Sequence, residues 1–276
     1  MNIQVADEQA FVLHETLSWE QAREQAWDQK TTVFGTISRF FLKGADIEIT
    51  YSERRYEPFW HLACSAHYLY DRNQTWTIRV SGPEVKRITI RDEDFGVASE
   101  QQKVAISGME HCQEDYHRDV IIDGVSGDLV DRAGYLQFEA EPIDIDSFAP
   151  EKSIVVPPRV RASSVVRQVL REMLKPVQAD VVLEEVVAIE AIDLYYAPVY
   201  AFEYYWQSKG KRTVAEFDGL TGELRREGKT LRQQVGQVFT QDVLFDVGAD
   251  MVGMLVPGGS IAVRVVKAVA DSRRNS

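Results

Sequence analysis

The chain has 276 residues, 45% apolar and 10% aromatic, enough to bury the core of one large domain or two ordinary ones, which excludes wholesale disorder. A formal charge of −12 argues against general nucleic-acid binding, because phosphates are neutralised by Lys and Arg. The charge is uneven: residues 229–276 hold six basic and four acidic side chains, a balance of +2, so the residues before them carry −14.

A short strand is expected at 10–13. Ser18 then caps a helix, with Gln21 completing a capping box and Trp19, Ala22 and Ala26 on one face. Residues 47–51 alternate like a half-exposed strand, and 59–70 form a long β-rich run. The polar cluster at 71–74 predicts a turn, with 75–80 as the returning strand. Further on, Val165, Val166, Val169, Leu170 and Met173 make an apolar stripe at helical spacing, closed by Pro176. Strands follow near 186–194 and 199–206. A turn at Ser208-Lys209-Gly210 leads into a last strand at 213–217.

Within this order the chain repeats itself. Tyr56-Glu57-Pro58-Phe59-Trp60 returns as Tyr196-Ala197-Pro198-Val199-Tyr200, and Asp123-Gly124-Val125-Ser126-Gly127-Asp128-Leu129 as Asp218-Gly219-Leu220-Thr221-Gly222-Glu223-Leu224. Each pair follows a helical segment and an Ile-Glu strand (47–49 and 189–191), which indicates two copies of one folding unit. The Tyr-x-Pro motifs are 140 residues apart and the Asp-Gly motifs only 95, so the first copy carries about 45 residues that the second lacks, near 81–118. Pro150, Pro157 and Pro158 mark the join. The expected class is α+β: two degenerate helix-plus-antiparallel-sheet repeats, 1–150 with the insertion and 151–228, followed by a helical, glycine-rich tail at 229–276.

The Asp-Gly turns read as hairpin devices rather than calcium loops, with glycines at positive φ and Asp, Ser or Thr bonded to the local backbone. A strand running into Asp218–Leu224 resembles the end of the small PepSY-type module, where a helix precedes an antiparallel sheet that closes on a D-x-x-T-G-[EK] turn. Residues 120–129 are similar, with Ser126 and Asp128 as variants. The likeness covers about a quarter of the chain, and it implies a binding or regulatory module rather than a catalyst. PepSY-type modules usually belong to secreted or membrane-anchored chains, and this one shows no export signal.

Chemistry-bearing residues gather in two windows. His61, Cys64 and His67 lie in one, His111, Cys112 and His117 in the other, and imidazole with thiolate is the preferred ligand set of zinc. Against a simple site, His61 and His67 share a strand face about 20 Å apart while Cys64 points the other way. A cysteine nucleophile is the second option. His111 and Cys112 would face opposite sides of a strand, so the base would come from His61, His67 or His117. There is no Gly-x-Ser-x-Gly elbow, phosphate loop or dinucleotide fingerprint. The aromatics Phe59, Trp60, Tyr195, Tyr196, Tyr200, Tyr204, Tyr205 and Trp206 fit core packing as well as they fit a ligand groove.

The tail predicts one helix from Thr230 through Leu231, Val235, Val238 and Phe239. A second would be capped by Ser260, with Ile261, Ala262, Val265, Val266 and Val269 on one side and Arg264 and Lys267 opposite. Gly248 and Gly253 permit close helix contact, and together with Met254, Pro257, Arg264 and Lys267 they are the expected contact residues. The uncharged stretch between Asp250 and Arg264 is too short and too broken to span a bilayer, though long enough to lie at an interface. Two cysteines and the lack of a signal segment place the chain in the cytoplasm, with the inner face of the membrane as a peripheral docking site. The expected function is a non-catalytic scaffold or adaptor, without cofactor, whose tail mediates self-association or docks on a protein partner or membrane surface. The alternative is a metal- or thiol-dependent enzyme, with zinc as the metal, built on windows 61–67 and 111–117.

Overall fold

The structure, a computed structural model, describes residues 2–34, 46–98, 102–174, 176–226, 240–245, 247 and 264–267. In chain order these form β1 (Asn2–Val5), β2 (Glu8–Leu13), α1 (Trp19–Asp28), β3 (Ile47–Arg79), β4 (Arg87–Ile90), β5 (Glu93–Gly96) and β6 (Lys103–Asp123). Next come β7 (Ala140–Pro142), β8 (Ile154–Val155), α2 (Ala162–Met173), β9 (Val181–Trp206), β10 (Lys211–Asp218) and β11 (Leu224–Arg226). A single-turn α3 (Gln241–Leu244) and β12 (Arg264–Lys267) complete the described chain.

All strands except the β4–β5 hairpin join one ten-stranded sheet. β3 lies between β9 and β6, antiparallel to both, and β8 pairs in parallel with Arg55 and Tyr56 on the edge away from β9. The other edge of β9 is shared along its length by β1 and β2, both parallel to it, and by antiparallel β10. The sheet is therefore mixed and the fold mostly β. This overturns the expected α+β class of separate helix-plus-antiparallel-sheet units with a helical tail.

Two corrections explain the difference. Residues 71–74 make no turn: β3 runs unbroken for 33 residues, and the return strand β6 for 21. The turn-type side chains find partners along the ribbon instead. Asp71 accepts from His111 Nδ1 at 2.6 Å, Arg72 Nε donates to Glu110 at 2.6 Å, and the Asn73 amide donates to Asp180 at 2.5 Å. In the tail, Arg264, Val265, Val266 and Lys267 form a strand parallel to Asn2–Val5, not a helix. Over four residues β-branched valines suit a strand, and an exposed edge such as that of β1 supplies ladder bonds that the helical period cannot reveal.

The repeated motifs meet at the centre of the sheet. Tyr56 pairs with Pro198, Glu57 with Ala197 and Pro58 with Tyr196, so β3 and β9 cross about a local dyad between Glu57 and Ala197. Phe59 stands opposite Asp123 as Val199 stands opposite Asp218. Both prolines sit inside long strands at no loss to the β3–β9 ladder. Each Pro carbonyl points outward to its own turn, accepting from Gly124 N or Gly219 N at 2.9 Å, so each Pro nitrogen also faces away from the partner strand. An added Cβ would come within 2.8 Å of Pro58 O at Gly124 and 2.7 Å of Pro198 O at Gly219, and this approach is what requires glycine.

The dyad extends to the helices. Gly124 O accepts from the amides of Arg159 and Val160 at the entry to α2, and Gly219 O from those of Thr16 and Leu17 at the entry to α1. The Trp60 indole donates to Val160 O at 2.9 Å, and the Tyr200 hydroxyl to Leu17 O at 2.7 Å. Each helix consequently covers the other repeat's strand. α1 lies on Tyr200, Phe202 and Tyr204 of β9, while the stripe of α2 buries Trp60, Leu62, Cys64 and Ala66 of β3. The Ser18–Gln21 capping box forms at α1, with Ser18 N donating to Gln21 Oε1 at 2.9 Å. Among the described residues no helix is long and apolar enough to cross a membrane.

Candidate functional site

The sheet separates the candidate ligands by face. On β3 the even-numbered residues from Trp60 to Tyr70 lie under α2, and Cys64 is fully buried there. Cys112, opposite Tyr70, packs against the same core about 20 Å along the ribbon from Cys64, too far for the two thiols to meet. Burial, with Glu190 nearby, pushes the Cys64 thiol up to about 12, so it stays protonated and a poor nucleophile.

The histidines occupy the opposite face, because residues directly opposed across β3 and β6 share a side. His67 faces Asp115, His117 faces Ser65 and His111 faces Asp71. Nδ1 of His67 and Nδ1 of His111 are tied to these aspartates at 2.5 and 2.6 Å. His61 is held between two carboxylates, Asp193 of β9 at 3.5 Å and Asp119 of β6 at 3.1 Å. Its two ring nitrogens each face one of these carboxylates, so His61 joins three strands and its charged form is the one they favour. Burial opposes that charge, but the two aspartates outweigh it and the pKa is raised. The hydrogen bond from His67 likewise lowers the pKa of Asp115. The thiols and imidazoles thus do not form one set. No group of three or more His, Cys, Asp or Glu side chains among the described residues is placed to hold a metal ion.

Toward the dyad the same face turns into a buried ionic centre. Arg55 reaches Glu53 at 3.1 Å, Glu57 at 2.7 Å and Glu216 at 2.6 Å, with 4% of its side chain exposed. Desolvation works against this charge, and Glu57 and Glu216 more than offset it, so the pKa is raised. Beside it the Tyr135 hydroxyl and Arg225 both donate to Asp218 of the second turn. Burial and that bond push Tyr135 up to about 12. Each of these charges has a partner of opposite sign within the cluster, and the centre acts as a strut beneath the crossing strands.

An open surface lies elsewhere. A groove of about 910 Å³ runs between one flank of α1 and the stretch of β3 that precedes β8. Trp19, Glu20, Arg23, Glu24 and Trp27 supply the helical wall, at spacings that keep them on one side of the helix. The other wall is five consecutive β3 residues, from Glu48 to Ser52, together with Phe202 of β9. Further along β3, β8 pairs with one edge at Arg55 and Tyr56, and the opposite edge is taken by β9. Trp19 anchors the wall, stacked on Phe202 at 5.5 Å, whereas Trp27 is 52% exposed with Lys30 over its ring. Glu20, Glu24 and Glu48 have no ion-pair partner among the described residues. A second hollow of about 530 Å³ continues the groove past Trp19 to Arg54.

The groove escaped sequence reasoning because no motif marks a hollow between a helix flank and a strand that pairs with a distant partner. One signal was present: Trp27 falls off the Trp19-Ala22-Ala26 face, which leaves a large aromatic without a core to enter. Of the expected tail contacts, Gly248, Gly253, Met254 and Pro257 lie outside the described residues, as do most of the helical positions around them. Arg264 and Lys267 fall in β12 beside β1, so they do not sit on a basic helical face. Comparison with protein families, with curated proteins and with solved structures finds no match.

Proposed function

We propose that this chain is a non-catalytic scaffold or adaptor of the cytoplasm that seats a protein partner in the α1–β3 groove. The observation that carries this reading is the groove itself: an exposed tryptophan and three carboxylates that have no ion-pair partner among the described residues line one trough. Exposed aromatic surface rimmed by polar groups is the usual mark of a docking site. The cytoplasmic setting is supported by two free cysteines. The region 229–276 remains a second contact for self-association, although its strand beside β1 removes the amphipathic helix on which membrane docking relied.

The test is a random-peptide display screen against the immobilised full-length chain, run in parallel on a Trp19→Ala/Trp27→Ala variant whose unfolding midpoint is checked. Sequences enriched on the parent chain and lost on the variant support the adaptor reading. Equal enrichment on both, or none on either, refutes it.

A further inference from the structure

We infer that the outer edge of β6 receives a short, extended, basic segment of a protein partner, which adds to the sheet as a strand. This site is separate from the α1–β3 groove and does not depend on it.

Backbone geometry comes first. The even-numbered residues of β6 bond to β3, and the odd-numbered ones turn their N–H and C=O groups away. Ile121 O shows this by accepting from Val130 N, and Lys103 O by accepting from Ala98 N, both at 2.9 Å. From Ala105 to Asp119 the outward groups have no hydrogen-bond partner among the described residues. The chain itself uses this edge at both ends, through the bridges Ala98–Lys103 and Ile122–Leu129. The opening between them is about 50 Å long at about 3.4 Å per residue, and such a row of groups is a template for another strand. Natural edges are commonly blunted by proline, by a bulge or by being short. β6 is 21 residues long, contains no proline and keeps one register with β3 throughout. Its remaining guard is charge.

That charge selects the occupant. Between Ala105 and Asp119, β6 carries Glu110, Glu114, Asp115 and Asp119 against one arginine, Arg118. Asp115 and Asp119 bond to His67 and His61 yet keep 63% and 54% of their side chains exposed, so each carboxylate has lone pairs left for a second donor. Side chains of an added strand alternate between the two faces. One row meets Asp115 and Asp119 on the histidine face, and the other meets Glu110 and Glu114 beside Cys112 and Tyr116 on the α2 face. Lysine and arginine suit both rows, with aliphatic stems along Tyr116 and heads on carboxylate. The same charges disfavour a second copy of this chain. Its β6, laid antiparallel across the whole opening, would set Glu110 against Glu114 twice, and at 21 residues it would overrun both end bridges.

The experiment uses fluorescence anisotropy with the full-length chain and three ten-residue probes. One alternates lysine and valine, one alternates glutamate and valine, and one is the lysine peptide N-methylated at four consecutive central amides, which blocks both of its edges. Gln113→Pro is the key variant, because it removes an outward N–H and leaves the β3–β6 ladder intact. The expected result is saturable binding of the lysine peptide, with no binding of the glutamate peptide. Binding should weaken at least tenfold on N-methylation, in Gln113→Pro and in Asp115→Asn/Asp119→Asn, and stay unchanged in Trp19→Ala/Trp27→Ala. Unfolding midpoints of the variants are measured alongside; if Gln113→Pro does not fold, the N-methylated probe on the parent chain decides the same point. Equal binding by that probe or by a folded Gln113→Pro overturns strand addition. No binding of the lysine peptide, or binding lost in the groove variant alone, overturns the site. A dimer in sedimentation that Gln113→Pro dissociates would place a second copy on the edge and overturn the inference as well. None of these outcomes bears on the groove, whose reading stands or falls with the display screen.

Discussion

Replacing Gly219 with alanine tests the turn that closes each repeat against the proline of the crossing strand. The new Cβ would lie 2.7 Å from Pro198 O and 2.8 Å from Pro198 Cβ, contacts that real side chains do not make, so the turn must move away from β9. Moving it stretches the Gly219 N to Pro198 O bond and the two bonds that Gly219 O accepts from Thr16 and Leu17, which hold the entry to α1. At about 1 kcal/mol for each of the three bonds, with about 1–2 kcal/mol of overpacking, the cost is about 4–5 kcal/mol. Gly210→Ala is the control. It sits at positive φ, as Gly219 does not, but its Cβ would meet nothing within 4 Å, so only a left-handed backbone penalty of about 1 kcal/mol applies. Urea unfolding followed by tryptophan fluorescence should rank the variants in that order, and Gly124→Ala should match Gly219→Ala to within about 1 kcal/mol. A Gly219→Ala variant no less stable than Gly210→Ala would refute the close-approach argument and with it the structural role assigned to the dyad.

Three further outcomes are expected. Because the folded pKa of His61 is raised, its clamp contributes stability in full below the ordinary value near 6.5 and loses it as pH rises through the folded value; the urea midpoint should fall over that window in the parent chain and stay flatter in His61→Gln. A parent profile that rises there would contradict the assignment. Arg55→Met removes this cation from buried Glu53 and Glu216, with Glu57 keeping Arg132 and Arg225 within 3.9 Å, and should cost about 3–5 kcal/mol; a loss under about 1 kcal/mol would show that the ionic centre is no strut. Iodoacetamide at pH 8 should leave Cys64 unmodified in the native chain and label it once urea is added, and a native Cys64 adduct in the mass spectrum would overturn its burial and raised pKa.

Much of the local structure was legible. The Ser18–Gln21 box forms, the five α2 stripe residues are all buried, and the Asp-Gly turns bond as hairpin devices: Asp123 Oδ1 accepts from Val125 and Ser126, and Asp218 Oδ1 from Leu220 and Thr221. What could not be seen was pairing. Asp71 to Gln74 carry turn chemistry, and only the arrival of His111, Glu110 and Asp180 from distant positions makes them strand. The class failed for the same reason, since two helix-and-hairpin units look alike in sequence whether each keeps its own sheet or both share one. In the tail, Val265 and Val266 satisfy a helical stripe as readily as a strand, and the deciding partner, β1, lies at the other end of the chain. The histidine and cysteine windows do lie on neighbouring strands, but which side each residue takes follows from register, and register places thiols and imidazoles on opposite faces.

The crossing of β3 and β9 sets an order on synthesis. Ile47 pairs with Trp206, 159 residues later, so at ribosomal rates of about 5–20 residues per second the first strand waits on the order of 10–30 s for its partner. The β3–β6 ribbon is made first and can close on itself, because Arg79 needs only Lys103. Until α2 and β9 emerge, that ribbon shows water both the Trp60–Leu62–Tyr68 face and a long unpaired edge, the combination most prone to intermolecular pairing. Slower growth temperatures or a holding chaperone should raise the yield of this protein more than any change to its finished surface.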